Sequence, residues 1–278
     1  MKFVVLTDTH FVVPGRLLYG LDPAARLAAA IEVINRDHPD IAFVIVTGDL
    51  AHWGQVAAYA ELRKVLGRLV APVVLLMGNH DRRQALREVF PAVDDDGNGF
   101  VQSVRRYDAA TVITLDTVDE ENPTHAGILC PARLDFLDRA LAEAPADRPV
   151  LLFQHHPPFN TGLPHMDRIR LRNPDDLWAV FEKRRRPDQI FMGHVHRPIA
   201  GSWRGIPFHI QRATVHQVAF DLVSQEIPGS LEAPDYALVD VSPDALVIHQ
   251  RPFLYDGPHY WLHDKAAQDA ADISALRP

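Results

Sequence analysis

Five short aliphatic runs, each handing over to an Asp, Asn or His, constrain this chain more than any other feature of its sequence. Residues 3–7 (FVVLT), 41–47 (IAFVIVT), 72–77 (PVVLLM), 149–154 (PVLLFQ) and 189–193 (QIFMG) are β-branched or aliphatic stretches of strand length. Runs without polar alternation read as strands buried on both faces. Between them lie helical patterns from Asp22 to Asn35, Gln55 to Leu69, Pro131 to Glu143 and Pro174 to Lys183. Strand and helix alternate, which argues an α/β class.

The texture changes after residue 196. There RPIAGSWRGIPFHIQ, YALVDVS and ALVIHQRPF alternate apolar and polar residues around Gly and Pro turns, as antiparallel strands do. Residues 99–106 and 109–115 form a similar pair about a DAA turn. The simplest architecture is a two-sheet β-sandwich flanked by helices. The chain of 278 residues shows no internal repeat and no linker. We therefore expect one domain over residues 1–262, followed by a carboxyl-terminal tail, 263–278, that is either a terminal helix or a frayed end.

Composition excludes several classes. With 47% hydrophobic and 23% charged residues the chain is globular rather than disordered, and a net charge of −8 offers no basic footprint for polymeric nucleic acid. The single cysteine, Cys130, cannot form an internal disulfide. The first apolar run meets Asp8 too soon for a signal-peptide core, and no stretch approaches the roughly 18 to 20 apolar residues of a membrane span. The expectation is a soluble, cytoplasmic protein without a membrane partner. Fifteen histidines are the outlier, and imidazole is the commonest protein metal ligand.

Their positions carry the argument. DTH (Asp8 to His10), GDLAHWG from Gly48, GNHD from Gly78, HH (His155 and His156) and GHVH from Gly193 follow the five runs in turn. Ligands of open α/β sheets bind at the carboxyl ends of strands. Turn and capping chemistry explains one Asp or Asn after a strand, but five polar strand ends together would repel or go unsatisfied without a cation. Asp8 and His10, and His194 and His196, point the same way across two-residue steps. Carboxylate, amide and imidazole donors without thiolates suit iron, manganese, zinc or cobalt. Using all seven donors, Asp8, His10, Asp49, Asn79, His155, His194 and His196, takes two divalent ions. Asp49 is the natural bridge, through its two oxygens, between ions roughly 3.5 to 4 Å apart.

These blocks resemble the calcineurin-like metallophosphoesterase superfamily: an Asp and His, then GD, then GNH with an acid, then H, then GHxH, all in order over roughly residues 3–216. The resemblance implies that Asp8, His10, Asp49 and His196 hold one metal, and Asp49, Asn79, His155 and His194 the other. By the same resemblance His80, Asn79 and Asp49 are catalytic, with His80 assisting the leaving group. LYG at 18–20 with Asp22, HHPP at 155–158, HMD at 165–167 and TVHQV at 214–218 look like class III cyclic-nucleotide phosphodiesterases and bacterial glycerophosphodiesterases. That branch adds His216 to His80 and Asn79 as substrate contacts, and implies homo-oligomers.

Two dications offset by Asp8, Asp49 and one hydroxide leave about one positive charge, a match for a singly charged small phosphodiester attacked by a metal-bound hydroxide. A phosphomonoesterase with the same core is the nearest alternative, and a non-catalytic metal-binding scaffold a remoter one. His156 should point away from the ligands. His52, His125, His165, His209, His249, His259 and His263 read as surface or packing residues, with His165 the first choice among them to line the pocket. KRRRP at 183–187 complements a helix end, and VDDDGNG near Asp94 forms a turn rather than a calcium loop.

Overall fold

Apolar strands need cover on both faces, and the computed structural model shows what covers them. It describes residues 1–269 except 123, 256, 258 and 264. The first sheet builds from β1 (Lys2–Leu6), α1 (Pro23–Asp37), β2 (Val44–Thr47), α2 (Val56–Leu66), β3 (Val73–Leu76) and α3 (Arg83–Val89). The second adds β4 (Ser103–Arg106), β5 (Thr111–Leu115), α4 (Pro131–Ala142), β6 (Val150–Gln154), α5 (Pro164–Asp167), α6 (Pro174–Lys183) and β7 (Gln189–Met192). Then come β8 (Ile199–Trp203), β9 (Ile206–Ile210), β10 (Gln217–Val218), β11 (Gly229–Ser230), β12 (Asp235–Val241), β13 (Leu246–Pro252) and α7 (Lys265–Asp269).

One sheet runs β13-β12-β1-β2-β3 and the other β4-β5-β6-β7-β9-β8, with β10 and β11 as a separate small ribbon. Period-two alternation explains the layering. Phe3 and Val5 of β1 join Phe43, Ile45, Leu151, Phe153 and Phe191 in a core between the sheets, while Val4 and Leu6 pack with Leu27, Ile31, Ile34 and Leu62 under the helices. Phe3 stacks on Phe43 at 4.8 Å and Phe153 on Phe191 at 4.7 Å. The second sheet carries its own cover, with Leu137 and Leu141 of α4 and Leu177 and Phe181 of α6 against Ile113, Leu152 and Ile190. The order is helix, sheet, sheet, helix, the architecture that the sequence predicts.

Local signals set the helix starts. Asp22 caps α1, accepting from Ala24 N at 2.9 Å and Ala25 N at 3.2 Å, and Pro occupies the first turn of α1, α4 and α6. Two features depart from the sequence reading. β8 and β9 form the expected hairpin, but β9 also extends the sheet in parallel beside β7. α3 has no counterpart among the sequence patterns, because seven residues without a side-chain cap show too little periodicity. Residues 270–278 of the expected tail lie outside the described residues. Among those described, no helix is long and apolar enough to cross a membrane.

Candidate metal centre

β1, β2 and β3 run parallel in one sheet and β6 and β7 run parallel in the other, so both sheets deliver carboxyl ends to one rim. At that rim the backbone bends sharply. Asp8 (φ 51°), His10 (φ 42°), Asp49 (φ 50°), His194 (φ 70°) and His196 (φ 54°) all adopt the left-handed region. A non-glycine residue costs about 1–2 kcal/mol there, and such strain gathers at functional sites. The bends are held by Asp8 N to Gly48 O (3.0 Å) and His10 N to Asp49 O (2.8 Å). Buried Asp81 adds four anchors, accepting from Leu50 N, Ala51 N, Gly78 N and the Tyr59 hydroxyl. Space is equally tight: a Cβ on Gly78 would stand 2.2 Å from Asp49 Oδ1, and one on Gly193 2.1 Å from Thr7 Oγ1.

Each carboxylate commits one oxygen to the protein and turns the other inward. Asp8 Oδ2 accepts from Thr7 Oγ1 (2.7 Å) and His194 N (3.1 Å), while its buried Oδ1 has no hydrogen-bond partner. Asp49 Oδ1 accepts from His80 N at 2.9 Å. Its Oδ2 stands 3.6 Å from His10 Nε2 and 3.4 Å from His155 Nε2. His196 Nε2 lies 3.2 Å from Asp8 Oδ1 and 3.1 Å from His10 Nε2. Asn79 Oδ1 and His194 Nδ1 meet at 2.9 Å. Oxygen and nitrogen donors about 2.0–2.2 Å from one ion stand about 3–3.5 Å apart, so these separations fit metal ligation. The buried, unpartnered Asp8 Oδ1 and His155 Nε2 fit it too.

Outer partners fix the imidazole tautomers. His155 Nδ1–H donates to Thr47 O (2.8 Å) and His196 Nδ1–H to His216 O (2.9 Å), which turns both Nε2 lone pairs inward. Burial opposes charge on Asp49, but His155, His80 and His10 outweigh it and hold the carboxyl well below its ordinary value. Burial likewise opposes a proton on His155, yet Asp49 and then Asp8 drive its pKa up to about 9. Burial keeps His10 well below the ordinary imidazole value.

The sequence profile of calcineurin-like phosphoesterases matches residues 1–198. The chain belongs to the calcineurin-like phosphoesterase family. It is 65% identical over 268 residues to a probable cyclic nucleotide phosphodiesterase of Rhodopseudomonas palustris, covering 96% of this chain and 98% of that one. It is 30% identical over 282 residues to the glycerophosphodiester phosphodiesterase GpdQ of Enterobacter lignolyticus, covering 95% of each. A dimetal phosphatase from Danio rerio shares the fold at a TM-score of 0.68 and 16% identity, over 91% of this chain and 96% of that one.

In this calcineurin-like chain, Asp8, His10, Asp49 and His196 bring donor atoms within 4.8 Å of one another. His155, Asn79 and His194 adjoin them on the other side of Asp49. Asp49 stands between the two groups: Oδ2 faces His10 Nε2 and His155 Nε2, while Oδ1 accepts from His80 N. His156 also falls beside His155 and His194, but both its nitrogens are used, so it has no lone pair for an ion. His80, with Nδ1–H donating to His52 O at 2.7 Å, and His216 both line a cavity of about 690 Å³ over the rim.

That cavity corrects three readings. His165 is buried but donates to Ser224 O, and its neighbour Met166 lines the cavity instead. His52 and His125, read as surface or packing residues, both line it, His52 against His10 Nδ1 at 3.0 Å. Tyr19, the centre of the LYG block, lines it too, with its ring 4.7 Å from that of His216. The LYG block carried Tyr19 and the GDLAHWG block His52, without singling out either; nothing local marked His125. The KRRRP run is consumed by ion pairs of Lys183 and Arg184 with Asp138 and of Arg185 with Asp188. The acidic loop closes as a turn, with Asp95 and Asp96 accepting from Gly97 N and Asn98 N.

Proposed function

We propose that this chain is a binuclear metal-dependent phosphodiesterase of small phosphodiesters. The observation that carries the reading is the convergence of Asp8, His10, Asp49, Asn79, His155, His194 and His196 on one rim, with Asp8 Oδ1 and His155 Nε2 buried and unpartnered. Asp8, His10, Asp49 and His196 would hold one ion, and Asp49, Asn79, His155 and His194 the second. The donor set suits iron, manganese, zinc or cobalt. Two such ions, when bound, supply Lewis acidity and an activated water.

The chain's own residues do the rest. His80 lines the cavity with Nδ1–H donating to His52 O, which leaves Nε2 as the ring atom that would pass a proton to a departing alkoxide. His216 and Asn79 flank it as substrate contacts. No Lys or Arg is among the residues lining the cavity, which favours a singly charged diester over a dianionic monoester. The cavity is also lined by the apolar residues Met166, Ile169, Val218, Ile227 and Leu231 and by the exposed Tyr19. An apolar wall accepts a nucleobase more readily than a glycerol head, and this supports cyclic nucleotides ahead of glycerophosphodiesters.

The test is a panel of 3′,5′-cyclic nucleotides, glycerophosphodiesters and matched monoesters, with enzyme reconstituted in one metal. Diesters should lead in kcat/KM, cyclic nucleotides first. Absence of diester hydrolysis sinks the proposal, and faster monoester turnover transfers it to a phosphomonoesterase. His80→Ala and Asn79→Ala should each abolish turnover. A cytoplasmic location and homo-oligomeric assembly belong to the same proposal; exposed Trp261 and Leu262 support the second, and light scattering of the purified protein checks it.

A further inference from the structure

We propose that His125 is a positioning residue for Asn79, and that through it the loop between β5 and α4 sets the affinity of the second metal position. The inference rests on the two-metal reading above and assigns a role to a residue outside the seven donors.

An Asn side chain ends in an oxygen that can ligate and a nitrogen that cannot, and rotation about its last bond exchanges them. Asn79 Oδ1 lies 2.9 Å from His194 Nδ1, toward the proposed ion. Its Nδ2 lies 2.9 Å from His125 Nδ1. An amide nitrogen only donates, so His125 Nδ1 is the acceptor and the ring carries its proton on Nε2. Turning Asn79 over would set its NH₂ against the metal side and its oxygen against a ring nitrogen. His125 therefore holds the amide in the ligating orientation.

The position of His125 is itself built. Its backbone is left-handed, φ 62°, and its carbonyl accepts from His156 Nε2–H at 3.1 Å. His156 is fully buried, and the Thr117 hydroxyl donates to its Nδ1 at 2.7 Å, which fixes that tautomer. Two residues on, a Cβ at Gly127 would stand 2.6 Å from His156 Nδ1, so the loop closes onto the ring only with glycine there. The pair at the end of β6 thus divides its labour: His155 faces the donors, and His156 holds up the loop that aims Asn79. Side-chain changes at 125 leave the carbonyl contact intact, so the loop should keep its place in such variants.

Titration of metal-stripped protein with Mn²⁺, read as bound ions per chain and as the spin-coupled signal of a manganese pair, tests this. Wild type should take two ions. His125→Ala and His125→Leu should weaken the second at least tenfold with the first unchanged, the loss expected for an outer-shell partner. His125→Asn, which tolerates the left-handed backbone and offers an acceptor oxygen, should restore much of it. Unchanged second-site affinity in the Ala and Leu variants overturns the proposal, as does full recovery by Leu, which would assign the effect to bulk. Equal weakening of both sites also overturns it, as general damage. A wild type that binds fewer than two ions fails the two-metal reading instead, and the proposal falls with it.

Discussion

A methyl group at Gly193 would stand 2.1 Å from Thr7 Oγ1 and 2.9 Å from Asp8 Oδ2, the two atoms that aim the first carboxylate. Gly193→Ala should therefore loosen metal retention as well as cost about 1–3 kcal/mol by overpacking. Metal content after gel filtration, alongside a thermal melt, reads both; wild-type metal content would contradict the close approach as the reason for this glycine. A second residue-scale expectation concerns protons. With its pKa raised to about 9, His155 holds a proton at neutral pH that an incoming cation must displace. The sign follows: between about pH 7 and 9 apparent metal affinity should rise with pH, by about fiftyfold if His155 dominates. Calorimetry in buffers of different ionisation enthalpy counts the released proton, and a buffer-independent heat at pH 7 would remove His155 from this role.

Elements position these residues without taking part in the chemistry. α1 begins at Asp22, whose carboxylate caps two backbone amides, and buries Leu27, Ile31 and Ile34 against the first sheet. Asp22→Ala should lower stability by about 1 kcal/mol, read by urea denaturation. The cap belongs to the helix alone, so catalytic efficiency should stay within about twofold of wild type at 25 °C; a larger fall would place Asp22 nearer the site than its hydrogen bonds do. The strands act differently. β1, β2 and β7 end in left-handed turns at Asp8, Asp49 and His194, and that strain is held by cross-strand bonds such as Asp8 N to Gly48 O and by the Asp81 carboxylate.

The whole molecule supplies a seam. Neither sheet contains both halves of the donor set: Asp8, His10, Asp49 and Asn79 follow strands of one sheet, His155, His194 and His196 strands of the other. Ions bound across the seam should thus stabilise the folded chain as a unit. At a free metal concentration one hundred times the dissociation constant, linkage predicts about 2.7 kcal/mol per site, or about 5 to 10 °C in Tm for a chain of this size. Scanning calorimetry of metal-stripped protein with added Mn²⁺ or Zn²⁺ checks this, with chelator reversing the shift. A Tm indifferent to every divalent metal tried would argue that the rim holds no ion.

The sequence by itself determined the layers and named the candidate donors. A strand covered on both faces must be apolar throughout, so FVVLT and VLLFQ announce themselves, and the polar residue that follows each marks where cover ends. Asp8, Asp49, Asn79, His155 and His194 were legible for that reason. Contacts between segments distant in sequence were not. That Asp49 turns one oxygen to His80 N, that β9 joins β7, that His52 O holds His80 and that His125 meets Asn79 across 46 positions depend on how loops bend once the two sheets have packed. Periodicity reports which face a residue presents; only tertiary packing decides which loop arrives over the rim, because an irregular backbone takes its path from the groups it must satisfy.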